Sequence, residues 1–493
     1  MPDSIHIPRE ASPFAPRRSR VLCALALLSL SMTSCKAWLG SEQPLDECTD
    51  CPVEPNPHLV DNGDDPPGVE GIGWTTRYPR LSHRQWENTV RDLLRWDAAP
   101  GLAASFALDP DSSSFDTFVT RTVSANLWND YQRGAEEVAV ETARNGALLD
   151  RIRSTSAPTD PTSFVKEFGR RAFRRPLSDA EVSSYVALFG QGATLFEESD
   201  TFANGVELVL RAMLQSPHFL YRVESTTTVD GDRVWLSGHE MASRLSYALW
   251  NTMPSDELLA AADAGGLSTE AGVTEWTRTM LADPRAESTL VSFHEQFFHV
   301  SAFGTIAKNE TLFPTFTLAL EPVLQEESRL FFREISVLGD GGIADLLTTP
   351  VTFVNQATAP FYGGSGTFGA DLVRADLDPT QRAGILTHLG FLSRYASQAQ
   401  SDPILRGVHV SLDFLCTTLE PPPNGVPPLP PIGEGQTNRE RVEVSTSVEP
   451  GSSCHEAFIN PLGFAFENCD AIGQWRGTDN GQTVDASATY VLD

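Results

Sequence analysis

Leu236-Ser237-Gly238-His239-Glu240-Met241 is built like the start of a helix. Ser237 stands at the N-cap, Glu240 follows three residues later, and Leu236 and Met241 bracket the pair. The hydroxyl and the carboxylate satisfy two N–H groups that a helix start leaves unbonded, and the apolar bracket fixes the entry angle of the chain. The same construction recurs at Leu81-Ser82-His83-Arg84-Gln85-Trp86 and at Leu177-Ser178-Asp179-Ala180-Glu181-Val182. Behind each cap the apolar residues fall at helical spacing: Met241, Leu245, Leu249; Trp86, Val90, Leu93, Leu94; Val182, Tyr185, Val186, Phe189. Asp378-Pro379-Thr380-Gln381 reads as a fourth start, with proline preset in the first turn. Strand alternation is confined to short pieces such as Val351-Thr352-Phe353-Val354. The fold class is mainly α, with several helical subdomains in series.

A chain of 493 residues is too long for one core and should hold about two to four such subdomains. Its net charge of −29 argues against a nucleic-acid partner, because phosphate binding needs a basic face. Lysine occurs only at Lys36, Lys166 and Lys308, so nearly all cationic charge is arginine.

Residues 1–35 read as a targeting segment: Arg17, Arg18 and Arg20, then the apolar run 21–30, then Ser31-Met32-Thr33-Ser34-Cys35. The run is too short to span a bilayer. A cysteine after small residues resembles the bacterial lipobox, which makes Cys35 the expected lipidation site and its lipid the only membrane contact. Plain secretion is the alternative. Residues 36–73 are acidic and rich in Pro and Gly, a tether. Cys48-Thr49-Asp50-Cys51 within it suits a local disulfide better than a metal.

Helical domains are expected at 74–145, 160–192 and 203–363, with helices near 239–251, 255–264, 273–283, 286–299 and 318–336. Arg170, Arg171, Arg174 and Arg175 either hold an anion or pair with surplus carboxylates. His294 and His299 sit five apart, not the four that would bring two zinc ligands to one helix face, so they read as packing or surface residues. No Gly-x-Ser-x-Gly elbow or phosphate-cradling loop is present, and no catalytic or metal-ligating residue is assigned. Residues 377–432 read as two helices, the second ending at Cys416, followed by an extended connector through Pro421-Pro422-Pro423 and Pro427 to Pro431. The last segment, 437–493, contains the densest mixture of chemistry: Cys454-His455, Asn460-Pro461-Leu462-Gly463, Glu467, Cys469, Asp470 and Arg476.

Several segments together carry a resemblance. They are Tyr78-Pro79-Arg80-Leu81 through Leu94; Arg171-Ala172-Phe173-Arg174-Arg175-Pro176-Leu177; Met213 through Arg222; Leu236 through Trp250; Arg382-Ala383-Gly384-Ile385-Leu386; Arg406-Gly407 with Leu415-Cys416; and Asn460-Pro461-Leu462-Gly463-Phe464. In this order they resemble the large secreted bacterial proteins built from the domains of unknown function numbered 1587, 1595, 1592, 1588 and 1585. The resemblance implies architecture and export; the family has no established activity. Its members commonly run further, so the last domain is expected to be truncated.

Family members often carry Cys-x-x-Cys-His, the pattern of c-type haem attachment, just before the Asn-Pro-x-Gly motif. Here Gly451 stands at the first cysteine position, leaving Cys454 and His455 as a degenerate haem site. The competing reading is a disulfide. Cys416–Cys454 across the connector is favoured, at roughly 4 kcal/mol of loop entropy, with Cys454–Cys469 the shorter alternative at roughly 3 kcal/mol. The odd cysteine of the three stays unpaired or finds Cys48 or Cys51. Asn460-Pro461 and Gly463 suit a tight turn, and Glu467, Asp470 and Arg476 suit mutual pairing. A carboxylate pair for acid–base work or Ca²⁺ would use the same letters.

The favoured function is a lipid-anchored envelope protein, outer-membrane or periplasmic, that binds a protein or extracellular polymer without chemistry or cofactor. The alternative is an extracytoplasmic redox protein with haem c at Cys454-His455.

Overall fold

The computed structural model describes residues 77–491, apart from 109–114, 118–121, 197, 231–232, 340, 420–427 and 449–451. Cys35, Cys48, Cys51, the targeting segment, the tether and most of the polyproline connector lie outside the described residues. The described chain is mainly α and divides into two compact units. One comprises residues 77–301 and 329–346, the other 302–328 and 347–491.

Among the described residues the first unit is helical apart from one short strand pair, Val229–Asp230 with Arg233–Val234. Its longer helices are α1 (His83–Leu94), α2 (Ala125–Arg144), α3 (Gly146–Ile152), α4 (Pro161–Ala172), α5 (Asp179–Leu195), α6 (Thr201–Leu214), α7 (Gly238–Leu249), α8 (Asp256–Asp263), α9 (Glu270–Leu281) and α10 (Pro284–Phe297). The three capping boxes start α1, α5 and α7, with Ser82–Gln85, Ser178–Glu181 and Ser237–Glu240 each bonded in both directions. No described helix is long and apolar enough to cross a membrane.

Burial follows the apolar spacing. On α1 the residues Trp86, Val90, Leu93 and Leu94 are fully buried, and Trp86 meets Phe106 edge-on at 5.0 Å. Helix α6 packs against α2 and α5 over one continuous core. A second core joins Ala242, Trp250, Leu258, Ala262, Met280 and Ala286 from α7 to α10.

The arginine cluster beside α4 divides in two. Arg170, Arg171 and Arg175 pair with Asp263, Asp256 and Glu181. Arg174 takes a left-handed backbone (φ 59°) and is buried. Its guanidinium donates to the carbonyls of His218, Phe219 and Tyr221 at 2.7–3.2 Å. His294 is a packing residue: its Nδ1 lies 2.8 Å from the Leu290 carbonyl and its ring stacks on Phe332 at 5.4 Å.

Helix α11 (Glu321–Arg333) begins in the second unit, ends in the first, and closes in a π-helical turn, Glu334–Leu338. The second unit continues with β1 (Val351–Val354) and β2 (Val373–Asp376), antiparallel, with Val351 opposite Asp376 and Val354 opposite Val373. After them come α12 (Leu389–Arg394), α13 (Pro403–His409), α14 (Asn438–Thr446) and α15 (Asn460–Phe464). The start of α14 is a fourth capping box, Thr437–Glu440.

Two expectations fail here. Asp378 does not open a helix; its carboxylate folds back onto Thr380 N and Oγ1, and the turn stops there. Gly384 then adopts φ 61°, ψ −170°, a conformation open to glycine alone, so the chain turns away. The helix expected from 380 onward is therefore the short α12, and α13 passes into a π-helical turn, Val410–Phe414, ahead of Cys416.

Candidate functional site

The densest chemistry of the sequence lies where α13 meets α15. Both helices carry a glycine at the crossing. A Cβ on Gly407 would sit 2.0 Å from the Ile459 carbonyl oxygen, and one on Gly463 would sit 1.8 Å from that of Pro403. The two backbones are thus in direct contact. Asn460-Pro461-Leu462-Gly463, expected as a tight turn, is a helical turn: Pro461 sets φ near its start and Gly463 removes the side chain that would keep α13 away.

Arg406, one turn along α13, is completely buried. A buried cation is costly unless its donors are matched. Nη1 donates to the carbonyls of Phe466 (3.0 Å) and Cys469 (2.8 Å), Nη2 to those of Leu392 (3.0 Å) and Asp470 (2.7 Å). One guanidinium thereby pins α12 and the loop after α15 to α13.

Glu467 is equally buried, and its Oε2 accepts from Ser401 Oγ (3.1 Å) and Arg476 Nη2 (3.2 Å), with Asn438 Nδ2 at 3.5 Å. Burial raises its pKa, and Arg406 and Arg476 oppose the rise. Arg476 also reaches Asp479 at 2.6 Å. Asp470 does not join this pair. Its Oδ1 accepts from Ile472 N and Gln474 N, both at 2.9 Å, and so shapes its own loop. Burial raises its pKa as well. The two carboxylates therefore hydrogen-bond to different partners.

The cysteine expectation is corrected. Cys454 and Cys469 both carry free thiols, so neither Cys416–Cys454 nor Cys454–Cys469 is formed. Cys454 is half-buried at the head of the π-helical turn His455–Ile459. Cys469 lies in the core with Phe391, Leu392, Tyr395 and Val410, with Arg382 Nη1 4.0 Å from its sulfur. Burial raises the pKa of the Cys469 thiol.

His455 is half-buried, and its Nδ1 lies 3.2 Å from Asn460 Oδ1, whose amide nitrogen donates to Thr446 Oγ1 at 2.8 Å. Since the amide oxygen accepts, Nδ1 carries the hydrogen and Nε2 the lone pair. Burial lowers the imidazole pKa. A surface depression of about 340 Å³ lies alongside, lined among others by Arg439, Glu443, Asn460 and Phe464, with Arg439 stacked over the Phe464 ring at 4.6 Å.

A second buried cluster was not singled out from the sequence. Glu327 of α11 is 1% exposed and accepts from Thr352 Oγ1 and Tyr362 Oη. His388 Nδ1 lies 3.7 Å from its Oε1, while His388 Nε2 donates to the Val351 carbonyl at 3.0 Å. Burial pushes the Glu327 carboxyl up to about 7 and the His388 imidazole down to about 3. Arg382 links the two clusters, with its guanidinium 5.0 Å from the Tyr362 ring and 4.0 Å from the Cys469 sulfur. The signal was available in the spacing Leu324, Glu327, Phe331, which places the glutamate on the apolar stripe of its helix. Nearby, Lys308 Nζ donates to the carbonyls of Ser397 (2.8 Å) and Ala396 (3.3 Å), and desolvation, with Arg406 adding to it, pushes its pKa down to about 7.

Four family models match the chain in series, each described as a protein of unknown function: DUF1587 at residues 79–144, DUF1595 at 161–224, DUF1592 at 236–363 and DUF1588 at 382–479. None of the four is the 1585 domain. No curated protein and no solved structure matches the chain.

Proposed function

Since the chain belongs to the family in which domains of unknown function 1587, 1595, 1592 and 1588 follow one another, we propose that it is a cell-envelope protein whose helical body binds a protein or polymer partner. It is exported and held at the membrane by lipid on Cys35, in the outer membrane or periplasm; release as a secreted protein is the alternative. The observation that carries the reading is the engagement of the Asn-Pro-x-Gly region. Arg406, Glu467, Asp470 and Arg476 direct their polar atoms to backbone groups and to one another. Such a clamp rigidifies a surface, as a recognition module requires. Beside it, Val444 on α14 and Val448 just past its end are each 67% exposed, next to the 340 Å³ depression.

Two measurements test this. Metabolic labelling with an alkynyl fatty acid should mark the chain and be lost in Cys35→Ser. A photo-crosslinker at Val444 should capture one defined envelope component; crosslinks spread evenly over abundant proteins would overturn the binding role.

The redox reading has one observation in its favour. Asn460 holds Nδ1 of His455 and leaves Nε2 as the lone pair, as the groups that hydrogen-bond the far nitrogen of a ligating imidazole do. The residues around it do not fit a haem. One thiol stands where two are used, and the helix that follows is in backbone contact with α13. Expression with c-type maturation proteins should yield no Soret band that survives acid-acetone.

A further inference from the structure

The first unit contains an open cleft of about 310 Å³ to which segments of three matched domains contribute: the end of α1, Arg171 of α4, and the turn before α8. Four of its lining residues are Arg91, Arg95, Arg171 and Arg285. In a chain of net charge −29 this is a local excess of cations.

Each guanidinium is held in place by part of its donor set. Arg171 Nη1 and Nη2 donate to the carbonyls of Leu93 (2.9 Å) and Asp92 (2.7 Å), and its Nε lies 3.3 Å from Asp256. Arg95 donates to Asp256 at 3.1 Å and to the Arg151 carbonyl at 3.2 Å. Arg91 grips Asp92 through Nε and Nη2. Arg285 grips Asp283 through the same two atoms, and its guanidinium carbon lies over the Trp250 ring, 3.5 Å from the centroid. A guanidinium has five N–H donors. Arg91 Nη1, Arg95 Nε and Arg285 Nη1 make no hydrogen bond to the described residues, so three of the arginines that line the cleft keep unused donors.

We propose that this cleft binds a small carboxylate ligand bearing a neighbouring hydroxyl or ammonium group, such as an α-hydroxy acid, an α-amino acid or a sugar acid. The class follows from the lining. Preoriented guanidiniums suit a planar carboxylate. Asp92, Asp256 and Glu257 border the same cleft, so a second negative charge on the ligand, as on phosphate, meets repulsion that a monoanion escapes. The same carboxylates accept from the ligand's hydroxyl or ammonium. The proposal does not depend on the binding role given to the surface near α14.

Calorimetric titration of the full chain at low salt, with lactate, alanine, glucuronate, inorganic phosphate and chloride as probes, tests the proposal. At least one of the three carboxylates should saturate below about 10 mM, while phosphate and chloride do not. Arg91→Gln, at a residue that pairs only with its chain neighbour, should weaken that carboxylate about tenfold. Glu257→Gln should strengthen it and admit phosphate, a gain that a misfolded variant cannot produce. Absence of saturation by all three carboxylates, equal binding of phosphate by the unaltered chain, or an affinity indifferent to both substitutions would overturn the assignment.

Discussion

Replacing Glu327 by glutamine should make the second unit more stable at neutral and alkaline pH and leave it unchanged in weak acid. The carboxyl is raised from an ordinary 4.5 to about 7 by burial. A raised folded-state pKa stabilises fully below pH 4.5, and that stability is lost as pH climbs through 7. A shift of that size corresponds to about 3 kcal/mol. His388 works in the opposite sense: its pKa is lowered from 6.5 to about 3, so its contribution is complete above pH 6.5 and fades toward acid. Between 4.5 and 6.5 the two slopes offset each other in the native chain. Glutamine keeps an oxygen for Thr352 and Tyr362, so only the histidine slope should survive, rising to about pH 6.5. For a unit of this size 3 kcal/mol is about 6–12 °C in Tm. Calorimetric melting of both chains from pH 4.5 to 8.5 checks this. Parallel profiles, or a variant less stable than the parent at pH 8, would refute the reasoning.

Arg406→Met should strand four carbonyls, those of Leu392 and Cys469 in buried bonds, and cost about 3–5 kcal/mol, read as loss of protease resistance in the second unit. Arg406→Lys should recover little of it, because an ammonium has three donors and no planar fork. Gly463→Ala places a methyl group against the Pro403 carbonyl and should lower stability by about 3 kcal/mol or more, with Leu462→Ala as a control for lost apolar packing alone. In the folded chain iodoacetamide should label Cys454 and spare Cys469, which should react after denaturation; a peptide linking Cys454 to another cysteine would contradict the free thiols.

The helix starts were legible because a capping box is complete within four residues. The hydroxyl, the amide it accepts from and the reciprocal Glu or Gln oxygen are all local. The same locality let Val351–Val354 be read as a strand. What escaped was decided at a distance. Asp378-Pro379 has the letters of a helix start, yet Gly384 turns the chain away before a second turn can form. Arg406 was visible as a residue and invisible as a clamp, since its partners are backbone carbonyls and every residue owns one. Glu467 and Arg476 pair as their letters allow, while Asp470, which looks the same in sequence, shapes its own loop instead. The cysteines misled for a related reason: loop entropy ranks possible bridges but says nothing of where packing places the sulfur atoms.

The clamp at Arg406 also sets a schedule. Its acceptors at 466, 469 and 470 leave the ribosome well after the arginine itself, about 3–13 s later at ordinary elongation rates. Until then only the Leu392 carbonyl, already made, can take one of its donors, and α15 is not there for α13 to pack on. The second unit therefore closes only after translation has passed residue 470, and the nascent stretch around 403–414 is where a holding chaperone would find its grip.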